Sequence, residues 1–442
     1  MKEIGASEPP PSRSDGIPQT SLWSSRNWWF LAFAAATLLT PPVRVEFAGG
    51  VFHFAMVFGL AGVCVGLWRR QQWRLSFRAP ASAMVVTVAV FTVSCGLALI
   101  YSGLAVAAGS LVRTALFGLS VYAFLYFRDG PGAESDPAFI VKWMLRFAAL
   151  AALFGCLDFY FQWNPVAPFA DQFVLGLKIR RAQGLFYEAG HFGNFCVFFL
   201  IGVAALWSQR ERLRLSPFLL SVLATVLIAG LAFSFSRSSA LNLLAGLVTL
   251  GVLLVRRNEK MGLLRFIAIA AGIGLALYYV APLASTHAVD RLAGTVSQAF
   301  ADPEILLGAR LESWKFIVGF LVDHPWHLIF GVGFKSLPYS EFIGRPVVAD
   351  NTYVSLLAET GVVGLTAAAY MLAGILRTAY LASKSANETT ASLGLWSLAF
   401  WVGQLVQMLW LDSLTYWRVL PLYLVVLALA ARDENSRPRP VR

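Results

Sequence analysis

The chain alternates long apolar stretches with short polar segments along most of its length. Apolar stretches occupy twelve ranges: 28–40, 50–68, 82–101, 104–127, 142–161, 186–207, 216–234, 239–255, 262–282, 351–373, 391–411 and 414–431. Most of them approach the roughly 20 residues with which an α-helix crosses a bilayer. Because a backbone in lipid must satisfy its own hydrogen bonds, the pattern predicts an all-α polytopic membrane protein with about twelve transmembrane helices. Stretches of this length exclude a barrel of alternating ten-residue strands.

The first apolar stretch is short and stops at Pro41-Pro42. A cleaved signal peptide is the alternative interpretation, with Ala34-Ala35-Ala36 as its small residues. That cleavage site would leave too little apolar length ahead of it, so we favour a retained helix.

One long polar interval, residues 283–350, interrupts the apolar pattern and divides the chain. We expect a disordered tail over 1–25, an N-terminal transmembrane bundle over 26–282, a loop over 283–350, further transmembrane helices over 351–431, and a second tail over 432–442. Apolar residues recur at helical spacing between Glu304 and Phe330, which predicts amphipathic helix along the membrane face.

Composition and charge agree with this picture. Of 442 residues 58% are hydrophobic and 13% charged, whereas about a quarter are charged in a soluble domain. The net charge of +11 does not indicate a nucleic-acid partner, because most basic residues lie in short runs between apolar segments. With the N-terminus in the cytoplasm, 23 basic residues fall inside and eleven outside. The positive-inside rule then predicts both termini in the cytoplasm and the 283–350 loop outside, which is the periplasm in a Gram-negative cell.

No cofactor or metal site is indicated by the sequence. Its four cysteines have no metal-ligand spacing. We find no internal repeat, phosphate-binding glycine-rich loop or soluble catalytic domain, so energy must come with the substrate or from a gradient.

Three separate segments place arginines on the predicted outer side. Arg180 and Arg181 lie in one loop, Arg237 lies in the Ser234–Ser239 turn, and Arg310 and Lys315 lie together in the long loop. The planar guanidinium binds phosphate bidentately and stays charged. Snorkelling to lipid phosphates explains a single such residue, but three segments together favour a lipid-pyrophosphate site.

Acid–base candidates lie in the same outer segments. Asp350 precedes the helix that carries Glu359, where N-capping is the default explanation and a general base the alternative. Glu188 is a second candidate, close in sequence to Arg181. His324 and His327 are weaker candidates, because lone loop histidines are more often structural.

The order of these motifs resembles the O-antigen ligase and polymerase (Wzy/WaaL-like) superfamily. The resemblance covers roughly 180–370 and depends on Arg181-x-x-Gly184-x-Phe186-x-Glu188, Ser236-Arg237-Ser238, Arg310-x-x-x-Trp314, Gly331-x-Gly333, Asn351-x-Tyr353 and Gly361-x-x-Gly364.

The resemblance implies a GT-C-like inner-membrane glycosyltransferase with one large periplasmic loop. Such an enzyme takes glycan from undecaprenyl pyrophosphate without a metal, and a chain-length regulator protein is a further expected partner. Arg181, Arg237 and Arg310 would contact the pyrophosphate. The ligase branch typically has His-Asn where this chain has Asp350-Asn351. A polymerase of O-antigen, capsule or exopolysaccharide is therefore the first expectation, and a ligase acting on lipid A-core is the second.

A lipid-linked glycan transporter or flippase is the alternative from another class. Transporters often show inverted repeats and broken helices, and neither is evident from the sequence. Few polar residues are expected inside the spans, which disfavours an ion pathway.

Overall fold

A computed structural model of the protein describes residues 27–41, 43–44, 51–161, 163, 171–174, 177–256 and 309–432. Its helices are α1 (Trp28–Leu39), α2 (Phe54–Trp68), α3 (Ala81–Asp129), α4 (Pro137–Phe161), α5 (Ala189–Leu206), α6 (Pro217–Ser234), α7 (Arg237–Arg256), α8 (Ala309–Asp323), α9 (Pro325–Phe330), α10 (Thr352–Ser383), α11 (Glu388–Gln407) and α12 (Leu420–Ala430). Two short antiparallel hairpins join them: β1 (Val43–Arg44) with β2 (Val51–Phe52), and β3 (Asp171–Val174) with β4 (Leu177–Arg180). The helical class of the fold is as predicted.

Six helices in the described ranges are long and apolar enough to cross a membrane, namely α3, α4, α5 with its 3₁₀ extension to Gln209, α6, α7 and α10. The predicted stretch 262–282, the loop residues 283–308 and the tails 1–25 and 433–442 lie outside the described residues. The number of twelve helices and the side of the membrane on which the loop lies therefore stay predictions.

The single long helix α3 is in fact two antiparallel helices. Gly103 has φ 82° and ψ 174°, a conformation open to glycine, and it turns the chain back on itself. Phe91 then packs against Phe117 at 5.3 Å between ring centroids, and Cys95 lies 3.3 Å from Thr114. The two predicted stretches 82–101 and 104–127 are thus separate, neighbouring helices.

A second break interrupts α10, where Gly361 has φ 67° and ψ −170°. The backbone of residues 329–333 crosses α10 here, and the N–H groups of Val332 and Gly333 donate to the carbonyls of Ala358 and Glu359 at 3.0 and 2.9 Å. A Cβ atom on Gly361 would lie 2.1 Å from the Ile329 carbonyl oxygen. A broken helix, which is not evident from the sequence, is therefore present: the close approach of the 329–333 backbone requires glycine at position 361 and interrupts the helix.

Buried amides connect the helices within two turns of the helix ends, so they do not contradict the expectation of few polar residues in mid-span. The Nδ2 group of Asn194 donates to Gln404 Oε1 and Gln407 Oε1, both at 2.6 Å. Asn242 Nδ2 donates to Gln407 Oε1 at 2.7 Å, and Tyr423 OH donates to Asn194 Oδ1 at 2.7 Å. We call these four amides and Tyr423 the amide network. Hydrogen bonds of this kind join helices where lipid offers no other partner.

The helix ends that carry the candidate residues meet at one end of the bundle. There α5, α7 and α10 begin and α6 and α11 end. The carbonyl of Gly190 accepts from Ser239 Oγ at 3.2 Å, and the Thr352 N–H donates to the Met408 carbonyl at 2.9 Å. We call this the site end of the bundle. Packing of α11 against α7 and α10 holds these ends together.

Candidate functional site

The segment from Arg181 to Glu188 is fixed against neighbouring elements along its length. Arg181 Nε donates to the carbonyl of Ser234, the last residue of α6, at 2.9 Å. The Tyr187 N–H donates to Tyr416 OH at 3.2 Å. Because both ends of the segment are tied down, Glu188 is held in place at the first turn of α5.

Glu188 forms an ion-pair contact with a histidine that sequence reasoning did not select. Its Oε1 lies 3.0 Å from His191 Nδ1. The His191 side chain is only 8% exposed, and its ring packs on Tyr416 at 3.8 Å between centroids. The only sequence signal is the i, i+3 spacing, which places both residues on one face of the helix.

Arg237 follows a turn of two residues, which is shorter than the predicted Ser234–Ser239 turn. Phe235 between α6 and α7 has φ 47°, a left-handed conformation that is uncommon for a residue with a side chain. Ser236 Oγ accepts from the Ser239 N–H at 3.3 Å, which makes Ser236 the cap of α7 and Arg237 its first residue. The exposed Arg237 side chain thus extends from a helix N-terminus, whose partial positive charge adds to its own.

Asp350 does not cap α10, so the default explanation for it is wrong. The cap is Asn351, whose Oδ1 accepts from the N–H groups of Tyr353 and Val354 at 2.9 and 3.1 Å. Asp350 has φ 48°, and its carboxylate faces α8, where Arg310 Nε donates to its Oδ2 at 3.3 Å. The side chains are 37% (Arg310) and 42% (Asp350) exposed, so the pair is accessible to a ligand.

Electrostatic interactions join these groups into one cluster. Glu188 interacts with both Arg181 and Arg310. Arg237 experiences the charge of Arg310, and Asp350 that of Glu188. We call Arg181, Glu188, Arg237, Arg310 and Asp350 the charged layer. The layer consists of three arginines, one from each of three segments, and two carboxylates.

The two carboxylates differ in proton affinity. Burial alone would raise the pKa of Glu188, but His191 and the arginines outweigh it and hold that pKa below its usual value. Burial raises the pKa of Asp350, and Glu188 adds to the rise, while Arg310 opposes it. Environments that separate two pKa values assign different roles to two carboxyl groups. The surroundings thus favour the ionised form of Glu188 and the protonated form of Asp350.

Other predicted residues lie elsewhere or act in packing. His324 is exposed and its Nδ1 lies 3.0 Å from the Phe320 carbonyl, while the buried His327 packs against Tyr101 at 4.8 Å between ring centroids. Tyr353 OH donates to the Leu405 carbonyl at 2.9 Å. These contacts give the two histidines and Tyr353 structural partners, as capping does for Asn351.

Two predicted cations are not placed in the charged layer. Lys315 is exposed on α8, five residues beyond Arg310. Arg180 ends β4 and pairs in register with Asp171, and its side chain lies outside the described part of the chain. Their assignment to pyrophosphate binding stays a prediction.

A second ion pair, between Lys335 and Asp412, borders the charged layer and was missed in the sequence. Burial works against the charged amine, but Asp412 and Glu359 outweigh it and raise the pKa of Lys335. Asp412 also acts electrostatically on Asp350. Seventy-seven residues separate the two partners, so no local motif could have shown the pairing.

In the described ranges, no group of three His, Cys, Asp or Glu side chains is arranged to hold a metal ion.

Comparison with known protein families identifies a family that part of this chain resembles. The O-antigen ligase family model matches residues 222–369, from within α6 to within α10. The match includes Arg237, Arg310 and Asp350 but not Arg181 or Glu188. No curated protein matches the chain. The resemblance to the O-antigen ligase and polymerase superfamily is thus confirmed over this segment, and the apolar helices make the chain a membrane protein.

Proposed function

We propose that the protein is a glycosyltransferase that joins glycan repeat units carried on undecaprenyl pyrophosphate, at the periplasmic face of a bacterial inner membrane. The observation that carries the proposal is the convergence of Arg181, Arg237 and Arg310 around an accessible Arg310–Asp350 pair. Three guanidinium groups suit the two phosphates of a pyrophosphate better than a single phosphate. Their positive charge also stabilises the negative charge that the leaving group gains as it departs.

Helix N-termini add to the attraction for an anion. Three helices, α5, α7 and α10, begin at the site end, and each N-terminus carries partial positive charge. An anion bound there is stabilised by the helix as well as by the arginines. This fixed charge would lower the barrier for a departing pyrophosphate without a bound metal.

In the proposed reaction, the hydroxyl oxygen of the acceptor sugar forms a bond to the anomeric carbon of the donor. The bond between that carbon and the pyrophosphate oxygen breaks, and its electron pair leaves with the pyrophosphate. The hydroxyl proton passes to Asp350, whose raised pKa suits a general base. Glu188, held by His191, keeps Arg181 and Arg310 oriented.

Polymerisation is the preferred form of this reaction, and ligation to lipid A-core is the second candidate. Asp350 stands where the resemblance leads us to expect a histidine in a ligase, which favours the polymerase. The matched family is described as O-antigen ligase, which favours the alternative. The two reactions use the same donor and differ in the acceptor.

A deletion strain distinguishes the two reactions by its glycan profile. Loss of a polymerase leaves lipid A-core capped with one repeat unit. Loss of a ligase leaves the core bare while lipid-linked polymer accumulates. Complementation with the wild-type gene should restore long chains, and complementation with Asp350→Asn should not. Because Asp350 caps no helix, this variant removes the base without removing a cap; restored long chains would refute the assignment.

The broken helix α10 is the one observation that favours a transporter. Its break at Gly361 is explained by the crossing of the 329–333 backbone. Transport of lipid-linked glycan by purified protein, without any bond formation, would support that alternative.

A further inference from the structure

We infer that Trp410, together with the Lys335–Asp412 pair, forms the subsite for the acceptor sugar. The inference rests on the proposed function. Trp410 and Asp412 lie between α11 and α12, beyond the matched residues 222–369, and Lys335 lies within them. The inference places the acceptor, like the pyrophosphate, beside Asp350.

An aromatic pair borders Asp350 on the side of this segment. Trp314 of α8 donates from Nε1 to the carbonyl of Ala349, the residue before Asp350, at 2.5 Å. The Trp410 ring lies 6.4 Å from the Trp314 ring, tilted by 38°. Both side chains are half-buried, so part of each ring remains accessible.

A carboxylate of fixed position lies two residues beyond Trp410. Asp412 is paired with Lys335, and its side chain remains 25% exposed. Lys335 has φ 54°, and its segment is anchored where Gly333 bonds to Glu359 of α10. Left-handed backbone at a residue with a side chain is held only by its surroundings, and such strain is typical of binding sites.

The chemistry of these groups fits a sugar ring. A pyranose has an apolar C–H face and a rim of hydroxyl groups. A flat indole covers the first, and an ionised carboxylate accepts hydrogen bonds from the second. A few well-placed polar groups beside aromatic surface are what orient a small ligand in its site. The charge of Asp412 is paired with that of Lys335, so this subsite attracts an anion less than the three arginines do, which favours a neutral sugar here.

In a displacement at the anomeric carbon, the attacking hydroxyl approaches from the face opposite the leaving group. The arginines would hold the pyrophosphate beside Asp350, and Trp410 would hold the acceptor close to the same residue. Asp350 then lies where the hydroxyl proton is released.

The test separates donor from acceptor with two probes. The donor is the lipid-linked repeat unit extracted from the deletion strain. The acceptor is an alkyl glycoside of the same repeat unit, which carries the accepting hydroxyl but no pyrophosphate. Full-length protein in proteoliposomes is assayed with each varied in turn. Trp410→Leu should raise the KM for the alkyl glycoside about tenfold and leave the KM for the donor within twofold.

Conservative and matched variants complete the test. Trp410→Phe keeps an aromatic face and should restore the acceptor KM to within about threefold of wild type. Asp412→Asn should raise it several-fold. Trp326→Leu, an exposed tryptophan on α9, should match wild type. If Trp410→Leu does not fold, Trp410→Phe and Asp412→Asn still decide, since an unchanged acceptor KM in Asp412→Asn overturns the inference.

Two outcomes separate this inference from the proposed function. If Arg237→Gln is inactive but Trp410→Leu lowers only stability and leaves the acceptor KM unchanged, Trp410 is a membrane-interface anchor, and the subsite alone is refuted. If Arg237→Gln retains full activity, the pyrophosphate site itself is refuted.

Discussion

The charged layer and the amide network lie one above the other at the same end of the bundle, and they are built differently. Asn194 lies five residues into α5 and Asn242 five into α7, roughly 8 Å below the helix ends. Every side-chain amide nitrogen of the network has a protein partner. In the charged layer, by contrast, Arg310 and Asp350 are partly exposed and Asp350 is backbone-strained. The lower layer is suited to holding helices together, and the upper one to meeting a ligand.

The largest expected effect on activity comes from removing a charge in the charged layer. Arg310→Gln deletes both a pyrophosphate contact and the partner of Asp350, so product formation should fall by about 100-fold or more. The measurement is the turnover of purified protein with lipid-linked donor. Arg345→Gln, an exposed arginine of the same loop that pairs with Glu312, is the control and should retain activity. A loss below tenfold in Arg310→Gln would argue against its role.

The pH dependence sharpens the role of Asp350. As a base it acts only when ionised, so activity falls as the pH drops through its pKa, which lies above the usual Asp value. Groups facing it are Arg310, Glu188 and Asp412. Glu188→Gln removes a negative charge, so the acid limb of kcat/KM should move to lower pH, by about half a unit to one unit. Arg310→Gln should move it to higher pH.

The sign of these shifts is the decisive part of that experiment. Glu312→Gln, on the exposed face of α8, provides the control and should leave the acid limb where it is. Movement of the limb in the same direction in Glu188→Gln and Arg310→Gln would show that a different group titrates.

A change in the amide network should affect the stability of the protein more than its turnover. Gln407→Leu removes one hydrogen bond from each of Asn194 and Asn242, which keep Gln404 Oε1 as their other acceptor, at a cost of about 2 kcal/mol in the free energy of unfolding. Thermal unfolding in detergent should show the loss, with turnover reduced less than tenfold at low temperature. Thr249→Val, which removes a bond within α7 only, is the control. Full stability with lost turnover would reverse the assigned roles.

The smallest effect is expected at the histidines of the long loop. His327→Phe preserves the ring packing against Tyr101 and Phe342 and loses one bond to the Gly331 carbonyl, at about 1 kcal/mol. Turnover and its pH profile should be unchanged. An inactive but folded His327→Phe variant would restore that histidine as a catalytic candidate.

Local features of the site could be predicted from the sequence, and contacts across the fold could not. Arg237 lies in a short serine-rich segment between two apolar stretches. Because that segment is so short, Arg237 must lie at the end of a helix. The Arg310–Asp350 contact spans 40 residues and depends on how α8 packs. Asp350 and Asn351 are both good caps, and only the backbone conformation decides that Asn351 takes the role.

The amide network and the break in α10 could not be predicted from the sequence for a related reason. Asn194, Asn242 and Gln404 each stand in an apolar stretch, and only helix packing brings them together. Gly361 lacks an accompanying proline, so nothing in the sequence marks it as a break; the approach of the 329–333 backbone does.

The most direct test of the pyrophosphate site compares the two ends of one helix. Arg237 and Arg256 begin and end α7, so Arg237→Gln and Arg256→Gln remove the same charge from the same helix. Proteoliposomes carrying each variant are given lipid-linked repeat units, and chain growth is measured. We expect a loss of about 100-fold or more for Arg237→Gln and wild-type growth for Arg256→Gln. Equal chain growth in the two variants would contradict this expectation.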